Sequence, residues 1–100
     1  SDKVYAYPNP FSPYEHNQMG GDGYVHIHAN VKTSFVVKMD IFNFAMEPVL
    51  QKQFDRRISS TGSLKWNGKD KNGRLVDNGT YFIRLEFDQK VKWIKLIAIK

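Results

Sequence analysis

The chain has no cysteine, no apolar run long enough to cross a bilayer and no block of like charge, and each absence closes a class of function. Without cysteine there is no disulfide, no thiolate nucleophile and no cysteine-ligated metal, although the compartment stays open because cysteine-free domains occur on both sides of the membrane. No apolar stretch approaches the ~20 residues of a spanning helix, so membrane insertion is not expected. The N-terminus also lacks the basic-then-hydrophobic pattern of a secretory leader. Lys+Arg total 15 against 10 Asp+Glu, a formal net charge of +5, yet Arg56-Arg57 is the only adjacent basic pair. Basic residues spread singly do not form the stripe that nucleic acids require, and no nucleic-acid partner is expected.

Proline is scarce and concentrated. Three of the 4 prolines are Pro8, Pro10 and Pro13, which impose an extended path just after the short apolar-aromatic segment 4–7. With 100 residues, 41% hydrophobic and 25% charged, the chain can bury one core without staples. Every periodic stretch has period two, the repeat of a half-buried strand. Val25, Ile27, Ala29 and Val31 alternate over 24–31, Val37, Met39 and Ile41 over 34–44, and Leu50 and Phe54 over 49–54, where a hairpin partner near a sheet edge is expected. Leu64 and Trp66 flank Lys65. Tyr81, Ile83, Leu85 and Phe87 alternate from Thr80, and Asp88-Gln89 turns into a last strand over 91–99. In that strand Val91, Trp93, Ile97 and Ile99 oppose Ile94, Leu96 and Ala98, so both faces carry apolar residues and the parity is ambiguous. Residues 14–23 and 55–62 are polar connections, and the two Asn-Gly pairs within 67–73 supply positive φ for tight turns.

Seven short strands with regular turn signals predict an all-β fold, and the run Asp77-Asn78-Gly79-Thr80-Tyr81 narrows it to an immunoglobulin-like β-sandwich of about seven antiparallel strands. In such sandwiches a tyrosine shortly after the corner packs inward while its hydroxyl bonds the backbone upstream. Trp66, Val37, Met39, Ile41, Ile83 and Leu85 are the expected scaffold.

Three stretches carry a family likeness: Tyr7-Pro8-Asn9-Pro10-Phe11, Met39-Asp40-Ile41-Phe42-Asn43, and Leu64 to Asp70 running on through Asn72 to Phe82. They resemble the immunoglobulin-like C-terminal sorting domains of the type nine secretion system, and the related immunoglobulin-like domain of the flagellar hook-capping protein. Where those families usually have an acidic residue after the tryptophan and a glycine in the turn after strand three, this chain has Asn67 and Ala45-Met46. The resemblance implies that residues 1–100 are one module at the C-terminal end of a larger secreted protein, recognised by the export machinery through its final hairpin. Gly79, Tyr81, Lys92, Lys95 and Lys100 are the implied recognition residues. The implied location is the cell surface or exterior of the bacterial outer membrane, after a periplasmic stage, with the secretion machinery and an upstream passenger as partners.

Other chemistries fit less well. His26 and His28 point the same way from one strand and would need a third metal ligand, for which strand order offers only Asp40. Asp70, Asn72 and Asp77 present oxygens without the acidic order of a calcium loop, and read as turn-stabilising side chains. No metal site and no cofactor is expected. Ser59, Ser60 and Ser63 have no histidine or cysteine-based partner in context, so no catalytic residue is expected and the protein is read as not an enzyme. Tyr14, Tyr24, Phe42 and Phe82 are the aromatics proposed to stack on a glycan. They support the alternative of a structural or carbohydrate-binding accessory sandwich packed on a catalytic or propeller domain of the same polypeptide. A hook-cap component is the third reading.

Overall fold

The computed structural model describes residues 4–13, 23–55 and 64–100. Seven strands form where the alternation placed them: β1 (Tyr5–Tyr7), β2 (Val25–His28), β3 (Val36–Phe42), β4 (Pro48–Asp55), β5 (Leu64–Trp66), β6 (Gly79–Phe87) and β7 (Lys90–Ala98). They build one sheet of order β1-β2-β5 and a second of order β4-β3-β6-β7, with all neighbours antiparallel. The result is a β-sandwich without a helix among the described residues. Because side chains alternate across a strand, one face of each sheet supplies the core. Val25, Ile27, Leu64 and Trp66 come from the smaller sheet, and Val37, Met39, Ile41, Ile83, Leu85 and Leu96 from the larger.

The expected scaffold is all there: Trp66, Met39, Ile41, Ile83 and Leu85 are 0% exposed and Val37 is 1% exposed. Tyr81 makes the anticipated corner, its hydroxyl donating to the carbonyl of Asp77 at 2.7 Å. Burial, then the nearby charge of Asp77, raise its phenol above the usual value. The parity of the last strand is also fixed. Ile94, Leu96 and Ala98 face the core, while Val91, Trp93 and Ile97 face outward from the sheet. In β4, Leu50 and Phe54 face the core as the alternation required, and an irregularity opposite Ile41 and Phe42 brings Val49 in as well.

Phe11, not among the expected core residues, is 1% exposed and belongs at the centre. Its ring lies 5.8 Å from Trp66, whose other neighbour is Tyr81 at 5.7 Å, edge to face. The Pro-rich opening, the tryptophan strand and the tyrosine corner, far apart in sequence, thus meet in one aromatic stack. Gly68 permits it. At φ 79° it sits in a turn conformation natural to glycine, and a Cβ there would stand 2.6 Å from Pro13 Cβ and 3.1 Å from Phe11 Cζ.

Two turns set strand geometry. Asp88 and Gln89 have φ of 51° and 60°, matching the two-residue hairpin whose twist suits paired strands. The Asp88 carboxylate reaches across the sandwich end and accepts from the amides of Lys32, Thr33 and Ser34 at 2.7, 2.8 and 2.7 Å, and from the Thr33 hydroxyl at 2.8 Å. These donors, the Lys32 amide first, hold its pKa far below the usual carboxylate range. At the β3–β4 turn Met46 has φ 63°, a strained conformation for a side chain with a Cβ, at the turn where the resembled families carry glycine.

Candidate functional site

The residues expected to be recognised lie on or beside β7, so its two faces and its edge define the site. β7 is an end strand of the four-stranded sheet, paired on one side with β6 from Gly79↔Ala98 to Phe87↔Lys90. In an antiparallel ladder alternate residues turn both backbone groups toward the same neighbour. The odd-numbered residues of β7 turn theirs away from β6, as their partners reveal. Ile97 N–H donates to Asn9 Oδ1 at 3.1 Å, Phe11 N–H donates to Ile97 O at 2.8 Å, Asn9 Nδ2 donates to Lys95 O at 2.9 Å, and Ile99 N–H donates to Phe11 O at 2.9 Å.

The Asn-Pro-Phe segment therefore adds itself to β7 as a short parallel partner, bridging Phe11 to Ala98. It covers the C-terminal half of the edge. The edge is therefore not open along its whole length. The sequence signal for this clip is the Asn9-Pro10-Phe11 run itself, in which a side-chain amide supplies pairing groups beside a proline that has no N–H to give.

The five implied recognition residues take different places. Lys95 and Lys100 are exposed, and Lys92 is half-buried. Gly79 starts β6 opposite Ala98, and Asn78 Oδ1 accepts from the Lys100 amide at 2.7 Å. Tyr81 is only 6% exposed, so its side chain serves the scaffold and is not presented at the surface. Outside the sheet, Trp93 is 50% exposed and its ring lies 5.9 Å from Phe42, while Phe82 stacks with Phe44 at 6.3 Å. Arg84 binds Asp40 at 3.4 Å and Glu86 at 3.1 Å on the same face.

The histidine–aspartate arrangement weighed and set aside in the sequence is split between the two sheets. Asp40 belongs to the outer face of the larger sheet, where it meets Arg84, whereas His26 and His28 lie on the smaller sheet stacked against Tyr7 and Tyr5 at 5.6 and 4.8 Å. Consecutive strands β2 and β3 lie in opposite sheets, so adjacency in strand order does not bring Asp40 to the histidines. Asp70 Oδ1 accepts from the amides of Asn72 and Arg74 at 2.9 and 3.0 Å, which lowers its pKa, the Arg74 amide acting most strongly. Its carboxylate stabilises a turn. Among the described residues no group of three potential ligands converges on a metal position.

The aromatics proposed for stacking are also redistributed. Tyr24, Phe42 and Phe82 are half-buried, and Lys65 Nζ sits 4.4 Å from the Tyr24 ring centroid. Tyr14 lies outside the described residues, as do Arg56, Arg57, Ser59, Ser60 and Ser63. Among the described residues the exposed Tyr, Phe and Trp rings are instead Tyr5, Tyr7, Phe35, Phe44 and Trp93. A groove of about 330 Å³ opens between the β3–β4 turn and the loop around Asp70 to Asp77, bordered by Asn43, Glu47 and Lys71. The backbone edge, the exposed Trp93 ring and the exposed Lys95 and Lys100 lie together on and beside β7.

No protein-family model matches the chain, and no curated protein sequence matches it. Among solved structures it is similar to PorZ of Porphyromonas gingivalis, described as an essential bacterial surface component of the type-IX secretion system. The TM-score is 0.67 at 26% sequence identity, and the match covers 99% of this chain but 12% of PorZ. The immunoglobulin-like sandwich read from the sequence thus has a counterpart as one part of a much longer chain.

Proposed function

We propose that this domain is a non-catalytic C-terminal module that directs secretion and surface anchoring of an upstream passenger through the type nine system. The observation that carries the reading is the likeness of nearly the whole chain to a small part of a surface component of that system. The Tyr7 to Phe11, Trp66 to Asp70 and Asp77 to Tyr81 motifs support it, since the structure gives each a scaffold role in one stack. On this reading β7 is what the machinery contacts, through its backbone edge and the charges of Lys92, Lys95 and Lys100. The passenger crosses the periplasm and reaches the cell surface or exterior.

Deleting 91–100 is a poor test, because Ile94, Leu96 and Ala98 are core residues and their loss unfolds the sandwich. The combined variant Lys92→Glu, Lys95→Glu, Lys100→Glu leaves the core intact. Fused behind a reporter, it should keep the unaltered domain's far-ultraviolet circular dichroism while export of the reporter falls. Unchanged export would remove the lysines from the mechanism.

A second reading is a carbohydrate-binding accessory sandwich. The exposed rings of Trp93, Tyr5 and Tyr7 favour it. Trp66 is fully buried, so glycan binding there would be reported by Trp93 fluorescence, and a titration with no change would count against stacking on that face.

A further inference from the structure

Among the described residues, the edge of β7 is only half used. Its odd-numbered residues present backbone groups outward, and Asn9 and Phe11 take those from Lys95 O to Ile99 N. By the same alternation Val91 and Trp93 each present an N–H and a C=O, and Lys95 an N–H, that meet no partner among the described residues. The edge is therefore competent for pairing, since one segment of the chain already pairs with it, and the open stretch is bounded at Lys95 by that segment. About five residues of extended backbone, at ~3.3 Å each, would fill it.

The side chains beside this stretch define what would bind. Val91 and Trp93 are 42% and 50% exposed on the outer face, with Phe42 against Trp93. Lys95 lies on the same face and Lys92 on the opposite one, and neither has an ion-pair partner among the described residues. Asp40 and Glu86, acids of the outer face, are already held by Arg84. A second copy of this chain would set lysine-bearing edges and two net charges of +5 against each other, which disfavours self-pairing.

We propose that β7 binds an extended segment of a partner protein by strand addition along Val91–Lys95, and that this segment alternates acidic with apolar residues. The inference rests on the reading that β7 is the recognised element, and names the chemistry of the segment that meets it. Backbone pairing supplies the mode of binding, and the alternating side chains supply selectivity. Val91 and Trp93 receive the apolar residues on the outer face, and Lys92, on the opposite face, receives the carboxylates.

The test uses the 100-residue chain and a capped synthetic peptide alternating valine and glutamate over about seven residues, the roughly five that fill the open stretch with one more at each end. Hydrogen exchange at the amides of Val91, Trp93 and Lys95 should slow on binding, and exchange along β4 should not. A peptide N-methylated on alternate amides should lose binding, and a valine–lysine peptide should bind at least ~10-fold more weakly. Trp93→Pro removes one outward N–H that β6 does not use and should weaken binding. Should that variant fail to fold, the N-methylated peptide decides against the unaltered domain. Equal binding by the lysine or N-methylated peptide, protection confined to β4, dimerisation of the domain through β7, or no binding at millimolar peptide would each overturn the proposal. If peptide binding fails while a reporter fused to the unaltered domain is still exported, strand addition alone falls. If the peptide binds and the reporter is not exported, the sorting role falls instead.

Discussion

Trp66 concentrates more of the fold than any other side chain. It is fully buried between Phe11 and Tyr81, and its indole N–H donates to the Lys69 carbonyl at 2.9 Å. Trp66→Ala should cost about 3–5 kcal/mol in urea unfolding, the range for truncating a buried aromatic; a loss below ~1 kcal/mol would place it outside the core. Tyr81→Phe removes only the hydrogen bond to Asp77 and should cost about 1 kcal/mol. Met46 is a residue-scale liability, since it holds a left-handed φ without being glycine. Met46→Gly should raise stability by about 0.5–1 kcal/mol, a gain reduced by glycine's greater freedom in the unfolded chain. Asp88 makes stability depend on acid. Its pKa in the fold is depressed, so its contribution is complete above the unfolded value, near 3.9, and is lost as pH falls below that. Melting temperature should fall between pH 5 and pH 2, and Asp88→Asn should flatten the profile; equal slopes in both proteins would contradict the role.

The elements were legible to unequal degrees. β3 and β6 could be read directly because apolar and polar residues alternate strictly, as Val37, Met39 and Ile41 do around Lys38 and Asp40. β7 could not, because Trp93, Val91 and Ile97 are apolar yet face outward, and a period-two pattern of two apolar sets carries no sign. The clip on β7 was hidden for a different reason. Its contacts join residues separated by 86 and 88 positions, and Asn9 acts through its side-chain amide, which leaves no trace in hydropathy. The Asp88 contacts to Lys32, Thr33 and Ser34 are hidden likewise. Asn9→Ala should free backbone groups at Lys95 and Ile97 and lengthen the open edge. Faster exchange at the Ile97 amide, with more self-association on concentration, is the expected outcome by hydrogen exchange and light scattering.

At the scale of the whole molecule, a pair of sheets closes one aromatic-centred core and leaves its chemistry on the outside. Sheet membership is what sequence order conceals, and it separates Asp40 from His26 and His28. It also places Lys95 and Trp93 together on the outer face of the four-stranded sheet. The core thus sets the rigidity with which β7 is held. The sorting role is tested most directly by fusing this domain behind a fluorescent reporter with its own secretory leader, in a bacterium carrying the type nine pathway. Surface or extracellular reporter that disappears in a secretion mutant is the result expected. Reporter retained in the periplasm of both strains, with the domain folded, would contradict the account and leave a structural or glycan-binding sandwich.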